Sequence, residues 1–293
     1  MQIEAIGAVR TILGESPVWD VDKDRLYWAD SLGRKIFCAA PDGSDLEQWD
    51  TPANIGFMVL CRSGRGLAAM KTGVHFIDFQ DSTFSLIAAP EPDLPNNTLN
   101  DGKVDRAGRF WFGSMDITSQ TEGGTLYRLD PDLTLTAIHR GVTISNGPCW
   151  SVDGRTFYFS DTPRALVTQF EFDLATGTLS NPRPFLQHDR RDGSGVDGAT
   201  VDAEGYYWCA HVYGGHIARY APNGTLDRTI ELPTGAVTSI AFGGPDLETI
   251  FVTSMSKSLQ SGGMPDSIDA GALFAIRGLG IRGLPEPKFA DVI

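Results

Sequence analysis

The sequence predicts an all-β protein, a six-bladed β-propeller with four antiparallel strands in each blade, and three observations indicate this fold class. First, a polar residue precedes a turn glycine by eight residues, and an aromatic strand-like run follows, at Asn100, Asn146 and Asp197. Second, looser copies of this pattern recur at intervals of roughly 40 to 50 residues, which is typical of propeller blades. Third, no stretch sustains the periodicity of an amphipathic helix, which makes a parallel βαβ fold a poor alternative.

The six copies fill the chain, with key positions at residues 15, 56, 100, 146, 197 and 239. Each copy holds a strand, a turn and a second strand, and a further hairpin follows, as at residues 35–39, the turn PDGS and residues 46–49. Four short strands per copy indicate a propeller blade. We expect a strand around residues 3–9 to complete the last blade, which removes a free edge, and residues 1–293 to form a single domain.

Composition restricts the class of protein and its partners. The 293 residues include 33 glycines and 17 prolines, spread evenly as expected for many tight turns. The net charge of −13 argues against nucleic acid or an anionic membrane as a partner. No apolar run is long enough for a membrane span, and the N-terminus lacks the features of a signal peptide. Cys38, Cys61, Cys149 and Cys209 have no CxxC spacing, so we expect reduced core thiols in a cytoplasmic protein.

The repeat places the key positions together, because the innermost strand of every blade lines the central channel. Residues at the start of those strands therefore form a ring at one mouth, composed of Glu15, Gly56, Asn100, Asn146, Asp197 and Ser239, with Asp101 beside Asn100. Carboxylate and amide oxygens are the ligands of a hard divalent cation. The alternative is that each residue only satisfies local backbone N–H groups in a turn, and the common register weakens it. For Asp105, Asp153 and Asp202, which lie in the turns, we expect this structural role.

Several segments together resemble the SMP-30/gluconolactonase/LRE family across nearly the whole chain. They are GESPVWD (14–20), RLYWAD (25–30), NDGKVDRAGRFWFGSMD (100–116), ISNGPCWSVDG (144–154), YFSDT (158–162) and VDGATVDAEGYYWCAHVYGG (196–215). The resemblance implies a six-bladed propeller that holds one divalent metal ion and hydrolyses a sugar lactone. It also implies that Glu15, Asn146 and Asp197 are the metal ligands and that Asn100 and Asp101 face the substrate.

The chain departs from the family pattern at two places. Thr98 stands where animal members carry an arginine, which leaves the metal ligands intact and bears on the identity of the sugar. A glutamate that contacts substrate in some members falls by counting on Gln120, with Glu122 nearby, and neither is assigned. Two further residues are candidate substrate contacts: Phe57, with a core role as the alternative, and His211, with a packed or surface imidazole as the alternative. No geometry is predicted for the Gly/Pro-rich tail 277–287.

The leading hypothesis is metal-dependent hydrolysis of an aldonolactone. The ion, which can be Fe²⁺, Zn²⁺, Mn²⁺, Mg²⁺ or Ca²⁺, polarises the lactone carbonyl, and Asp197 accepts a proton from the attacking water. Thr98 favours a pentonolactone such as xylono- or arabinonolactone, with gluconolactone as the alternative. A broader esterase or organophosphatase on the same metal site is the nearest rival, and a non-enzymatic, divalent-ion-binding propeller is the third possibility. We expect a monomer.

Overall fold

The computed structural model of the protein describes residues 1–119, 121–189, 193–259 and 267–291. In these residues 24 strands form six sheets, each of four antiparallel strands, and one short 3-10 turn covers Thr162–Arg164. The six sheets follow one another around a ring, so the predicted six-bladed β-propeller is confirmed. No helix in the described ranges is long and apolar enough to cross a membrane.

Each of blades one to five is built from four consecutive strands, of which the first is innermost. Blade one contains β2 (Gly14–Asp20), β3 (Arg25–Asp30), β4 (Lys35–Ala39) and β5 (Glu47–Asp50). Blade two contains β6 (Ile55–Leu60), β7 (Gly66–Met70), β8 (Gly73–Asp78) and β9 (Thr83–Ala88). Blade three contains β10 (Asn97–Val104), β11 (Phe110–Asp116), β12 (Gly124–Leu129) and β13 (Leu135–Val142). Blade four contains β14 (Ser145–Trp150), β15 (Thr156–Asp161), β16 (Leu166–Asp173) and β17 (Thr178–Gln187). Blade five contains β18 (Gly195–Val201), β19 (Tyr207–Val212), β20 (His216–Tyr220) and β21 (Leu226–Glu231).

Blade six joins the two ends of the chain. Its inner strands are β22 (Val237–Gly243), β23 (Thr249–Ser254) and β24 (Leu273–Arg277), and its outermost strand is β1 (Gln2–Ile6). β1 pairs antiparallel with β24, from Gln2 opposite Arg277 to Ile6 opposite Leu273. The predicted closure by the N-terminal strand is therefore confirmed, and we propose that the chain folds as one domain.

The core lies between successive blades, around the innermost strands. Every residue of β6, β18 and β22 is buried, whereas the outermost strands β9 and β21 are largely exposed. Large aromatic side chains fill the space between neighbouring blades, because twisted sheets packed face to face leave room for them. Trp111 of blade three contacts Trp150 and Phe157 of blade four, and Trp208 of blade five contacts Phe242 of blade six.

The acidic residues of the turns have the structural role that the sequence predicts. Asp105 accepts hydrogen bonds from the Arg109 guanidinium and from the indole Nε1 of Trp111. Asp202 repeats this arrangement two blades later with Trp208 and Arg219. Asp153 accepts bonds from the Ser151 hydroxyl and the backbone N–H of Arg155. These carboxylates hold turns and aromatic side chains in place at the end of the ring opposite the predicted site.

The tail, for which the sequence predicts no geometry, runs across that same end of the ring after β24. The tail contacts five blades. It makes main-chain hydrogen bonds to Leu247, Ala203 and Leu60, and it forms ion pairs with Lys103 and Asp20. All of these partners lie at or near the ends of inner strands opposite the key positions, and Lys103 also reaches back toward Asp101. The channel is thus covered at one mouth by residues 281–291.

Candidate active site

Each innermost strand carries a β-bulge at or beside its key position. The register against the second strand shifts between Glu15 and Val18, Ile55 and Phe57, Leu99 and Gly102, Asn146 and Cys149, Val196 and Ala199, and Val237 and Ile240. A bulge interrupts the regular alternation of side chains and turns one of them in a new direction. The same irregularity, repeated six times at one end of the ring, therefore explains how the key side chains come to face the mouth.

A chain of hydrogen bonds joins three blades at this mouth. Asn100 of blade three donates from Nδ2 to Oδ1 of Asn146 and to the main-chain oxygen of Ser145, each at 2.9 Å. Asn146 donates from its own Nδ2 to Oγ1 of Thr162, at 2.9 Å. Thr162 in turn donates to the main-chain oxygen of Val196, the residue before Asp197, at 2.7 Å. Asn100, Asn146 and the bulge of blade five are therefore held in one network.

Asp101 is tied to the main chain on both of its oxygens. Oδ1 accepts a hydrogen bond from the N–H of Gly102, and Oδ2 accepts one from the N–H of Gly147 in the next blade, both at 2.7 Å. The side chain is only 6% exposed. Each carboxylate oxygen retains a lone pair that can accept a further hydrogen bond. The expected contact of Asp101 with substrate stays a prediction.

Three carboxylates interact electrostatically in this cluster. Burial raises the pKa of Glu15 well above its ordinary value, and the negative charges of Asp197 and Asp101 raise it further. Burial and the charge of Asp101 likewise raise the pKa of Asp197. Burial raises the pKa of Asp101 to about 6. Burial raises all three pKa values, and repulsion between like charges adds to the shifts of Glu15 and Asp197, so a cation among these groups would lower the pKa values again.

Glu15, Asn146 and Asp197 have the chemistry of a hard-cation site. They supply two carboxylates and one amide, and the amide nitrogen of Asn146 is engaged by Thr162, which leaves its oxygen on the side of Asn100 and the cluster. Oxygen donors suit Ca²⁺, Mg²⁺ or Mn²⁺, and such sets also occur with borderline ions. Across the described ranges no group of three or more His, Cys, Asp or Glu side chains is arranged to hold a metal. The set of Glu15, Asn146 and Asp197 includes only two side chains of these four types, because its third member is an asparagine.

The remaining ring positions shape the channel. Gly56 lies so close to blade three that a Cβ atom there would be 2.3 Å from the main-chain oxygen of Leu99. Phe57 is buried and lines a cavity of about 20 Å³ in the channel, together with Asp101 and Ser239. A cavity of this size holds about one water molecule. Phe57 therefore forms part of the channel wall, and its contact with a substrate stays a prediction.

The other predicted residues lie at the same end of the ring but outside the network. Thr98 lines a cavity of about 300 Å³ beside the mouth, and its hydroxyl donates to the main-chain oxygen of Leu99. His211 on β19 is buried, stacks on His216 and meets His188, which follows the last strand of blade four, edge-on, and its contact with a substrate stays a prediction. Glu122 forms an ion pair with Arg164, and Gln120 lies outside the described residues.

Two residues of the site, Lys103 and Thr162, were not identified from the sequence patterns. Lys103 follows Asp101 by two positions on β10, and its Nζ donates to the main-chain oxygen of Ala199. Its positive charge lowers the pKa of Asp101, although burial outweighs this effect. Thr162 follows the second strand of blade four and so lies outside the repeat of key positions. The segment NDGK could have indicated Lys103, because a residue two positions after Asp101 on the same strand points to the same side of the sheet.

Comparison with known proteins agrees with this fold. The model of the SMP-30/gluconolactonase/LRE-like region matches residues 13–256. Regucalcin from Gallus gallus is 34% identical over 296 residues, which cover 99% of both chains. A 6-deoxy-6-sulfogluconolactonase from Pseudomonas putida is 33% identical over 282 residues, covering 96% of both. The structure of a calcium-binding protein, regucalcin from Agrobacterium tumefaciens, superposes with a TM-score of 0.90 at 27% identity, over 96% of this chain and 95% of that one. The chain therefore belongs to the SMP-30/gluconolactonase/LRE-like family.

Proposed function

We propose that the protein hydrolyses a sugar lactone to the aldonic acid and that it requires one divalent cation, held by Glu15, Asn146 and Asp197. The observation that carries this proposal is the set of oxygen-bearing side chains at one mouth, in which the amide oxygen of Asn146 faces Asn100 and the carboxylates of Glu15, Asp197 and Asp101 interact electrostatically. The similarity to a 6-deoxy-6-sulfogluconolactonase supports the reaction class. The similarity to a calcium-binding protein supports a divalent cation.

The chemistry of the cation follows from its three protein ligands. When bound, the ion polarises the lactone carbonyl as a Lewis acid and stabilises negative charge on the carbonyl oxygen. Fe²⁺, Zn²⁺, Mn²⁺, Mg²⁺ and Ca²⁺ are all compatible with two carboxylates and an amide. Three side-chain ligands leave coordination positions for water and a substrate oxygen.

The chain's own residues bind the sugar and move the proton. We assign Asp197 as the general base, whose carboxylate takes a proton from the attacking water. Asn100 uses its N–H groups on Ser145 and Asn146, which leaves its carbonyl oxygen to accept a hydrogen bond from a sugar hydroxyl. The remaining lone pairs of Asp101 offer a second acceptor. Because these side chains are held by the main chain of several blades, they are oriented before the substrate arrives.

The proposed substrate is a pentonolactone such as xylono- or arabinonolactone, with gluconolactone next. Thr98 supports this choice because a short side chain lines the cavity beside the mouth at the position of the arginine in animal members. Phe57 and His211 are proposed as an apolar wall and a flanking contact. We propose that the protein acts as a monomer in the cytoplasm on a small molecule alone. Four buried cysteines, none of them in a disulfide, support a reducing compartment.

The test is proton release from a panel of aldonolactones, followed with a pH indicator. The protein is stripped of metal with a chelator and then given each of the five cations in turn, with correction for spontaneous hydrolysis. We expect one or two cations to restore rapid hydrolysis of a pentonolactone in the wild type and in Asp132→Asn, an exposed turn variant. We expect Asp197→Asn to stay at the background rate. If no cation raises any rate above background, the lactonase proposal fails, and phosphotriesters and simple ion binding become the next assays.

A further inference from the structure

We propose that Thr162 is a positioning residue, which fixes the amide of Asn146 with its oxygen toward the cation site. This inference rests on the proposed function, because it assigns Asn146 to the cation. It adds a residue that touches neither cation nor substrate and acts through the orientation of a ligand. Thr162 begins the turn between β15 and β16 of blade four, the blade that supplies Asn146, and its hydroxyl contacts blade five, which supplies Asp197.

The direction of the hydrogen bonds follows from the group at one end. The main-chain oxygen of Val196 can only accept a hydrogen bond, so the Thr162 hydroxyl, 2.7 Å away, must donate its single hydrogen there. Oγ1 of Thr162 can then only accept from Asn146, at 2.9 Å. The atom of Asn146 that faces Thr162 is therefore the NH₂ nitrogen, and the amide oxygen points the other way.

The hydrogen bonds of Asn100, on the other side of Asn146, fix the same orientation of the Asn146 amide independently. The main-chain oxygen of Ser145 is also an obligatory acceptor, and it lies 2.9 Å from the Asn100 side chain. The atom of Asn100 that faces it must be Nδ2, which carries a second hydrogen. That hydrogen points to Asn146 at 2.9 Å, so the facing atom of Asn146 is its oxygen. Two carbonyl groups in different blades thus impose one orientation on the amide between them.

The surroundings of Thr162 keep its hydroxyl in this position. Its backbone N–H donates to the main-chain oxygen of Ile144, and its own carbonyl accepts from the N–H of Ala165. Its methyl group occupies space that a Cβ at Gly195 would fill, at a distance of 2.6 Å. Thr162 is only 9% exposed and Asn146 only 5%, so bulk water has little access to replace the hydroxyl.

Loss of the hydroxyl would remove one of the two constraints on the amide and leave only the hydrogen bond from Asn100 to hold it. The nitrogen of Asn146 would lose its acceptor and Val196 its donor, and a buried polar group without a partner favours any rotation that finds one. A rotated amide presents NH₂ in place of oxygen, which repels a cation. Groups that orient metal ligands from outside the coordination shell typically change metal affinity 10- to 100-fold when they are removed.

The experiment compares Thr162→Val, which replaces the hydroxyl with a methyl, with Thr162→Ser, which keeps the hydroxyl. Mn²⁺ and Ca²⁺ are titrated by calorimetry into chelator-treated protein, separately from any hydrolysis assay. We expect about 10-fold or weaker cation binding in Thr162→Val and wild-type binding in Thr162→Ser. Thr51→Val is the matched control, since Thr51 is a buried threonine that bonds to the main-chain oxygen of Ala53, away from the site. If Thr162→Val does not fold, Thr162→Ala replaces it.

The outcomes separate this inference from the proposed function. Equal binding by wild type and Thr162→Val overturns the inference, and so does an equal loss in Thr162→Val and Thr162→Ser, which would indicate packing rather than hydrogen bonding. A wild type that binds neither cation overturns it as well. A wild type that binds a cation but hydrolyses no lactone defeats the proposed function alone, because the comparison of the Thr162 variants still decides the positioning role.

Discussion

Lys103 and Glu286 form an ion pair inside the central channel, with 2.9 Å between Nζ and Oε1. The lysine belongs to the innermost strand of blade three and the glutamate to the C-terminal tail, and the two side chains are only 13% and 20% exposed. Thr200 of blade five also donates to the same carboxylate oxygen. The pair therefore fastens the tail to two blades beneath the candidate active site.

Removal of one partner of this pair should destabilise the protein. We expect Glu286→Leu to lower the free energy of unfolding by about 1 to 3 kcal/mol, because the buried ammonium group of Lys103 loses its counter-charge while some solvent still screens it. The double variant Lys103→Met with Glu286→Leu should recover much of this loss. Lys35→Met, which breaks an exposed pair with Asp50, is the control and should cost less than about 1 kcal/mol. Denaturant unfolding measures the three variants and the wild type, and an equal loss in the single and double variants would contradict the prediction.

Neutralising a carboxylate of the cluster should separate stability from activity. In Glu15→Gln and Asp197→Asn we expect the metal-free protein to melt at the wild-type temperature or above, because desolvation and repulsion destabilise the charged forms. Hydrolysis should fall by about 100-fold or more, since a group that stabilises charge in the transition state is lost. Thermal melts and initial rates on the same preparations measure both effects. A variant that melts lower and stays active would contradict the assignment.

The metal-free protein should become less stable as the pH rises through the titration of Asp101. Burial raises the pKa of Asp101 from 3.8 to about 6, so between these values the folded state binds the proton more tightly than the unfolded state. This group therefore makes folding less favourable as the pH rises through that window, by up to about 3 kcal/mol. Metal-free protein should lose stability between about pH 3 and pH 7 through this group, because this range brackets the two values. A saturating cation should stabilise the protein more at the upper pH. Thermal melts at both pH values, with and without Ca²⁺, check this prediction. An equal stabilisation by Ca²⁺ at both pH values would contradict it.

Gly56 should not tolerate a side chain. A Cβ atom there would meet the main-chain oxygen of Leu99 at 2.3 Å and Cα of Asn100 at 2.6 Å, and main-chain atoms cannot move aside as a side chain can. We expect Gly56→Ala to cost about 1 to 3 kcal/mol and to weaken lactone hydrolysis by displacing Asn100. Gly154→Ala is the control for backbone strain, because Gly154 has a φ of 68° but open space around it. Equal activity in the two variants would show that the contact with blade three is unimportant.

Much of the fold and of the site followed from one repeated offset in the sequence. The eight-residue interval from Asn100, Asn146 and Asp197 to their turn glycines marks the innermost strands of three blades, looser copies mark the other three, and a ring brings such positions together. The offset could not reveal the bulges, because a register shift depends on pairing with the second strand. It also could not show that both oxygens of Asp101 are engaged by main-chain N–H groups.

The tail escaped prediction for a different physical reason. Residues 278–288 form no strand and have no periodicity, so their position depends on single bonds to separate blades, such as the bond from Gly283 to Leu247. Contacts between residues so distant in sequence leave no local pattern. Thr162 was missed in the same way, since its partners Asn146 and Val196 belong to two different blades.

The pairing of β1 with β24 also governs when this molecule can fold. Because the first strand of the chain completes the last blade, the ring stays open until residue 277 has left the ribosome. Until then the nascent chain carries unpaired strand edges at both ends, which are the surfaces through which partly made β-proteins associate. Pairing between such distant residues is also slow to form. Residues 273–277 must therefore be synthesised before β1 can pair with β24 and the tail can seal the ring.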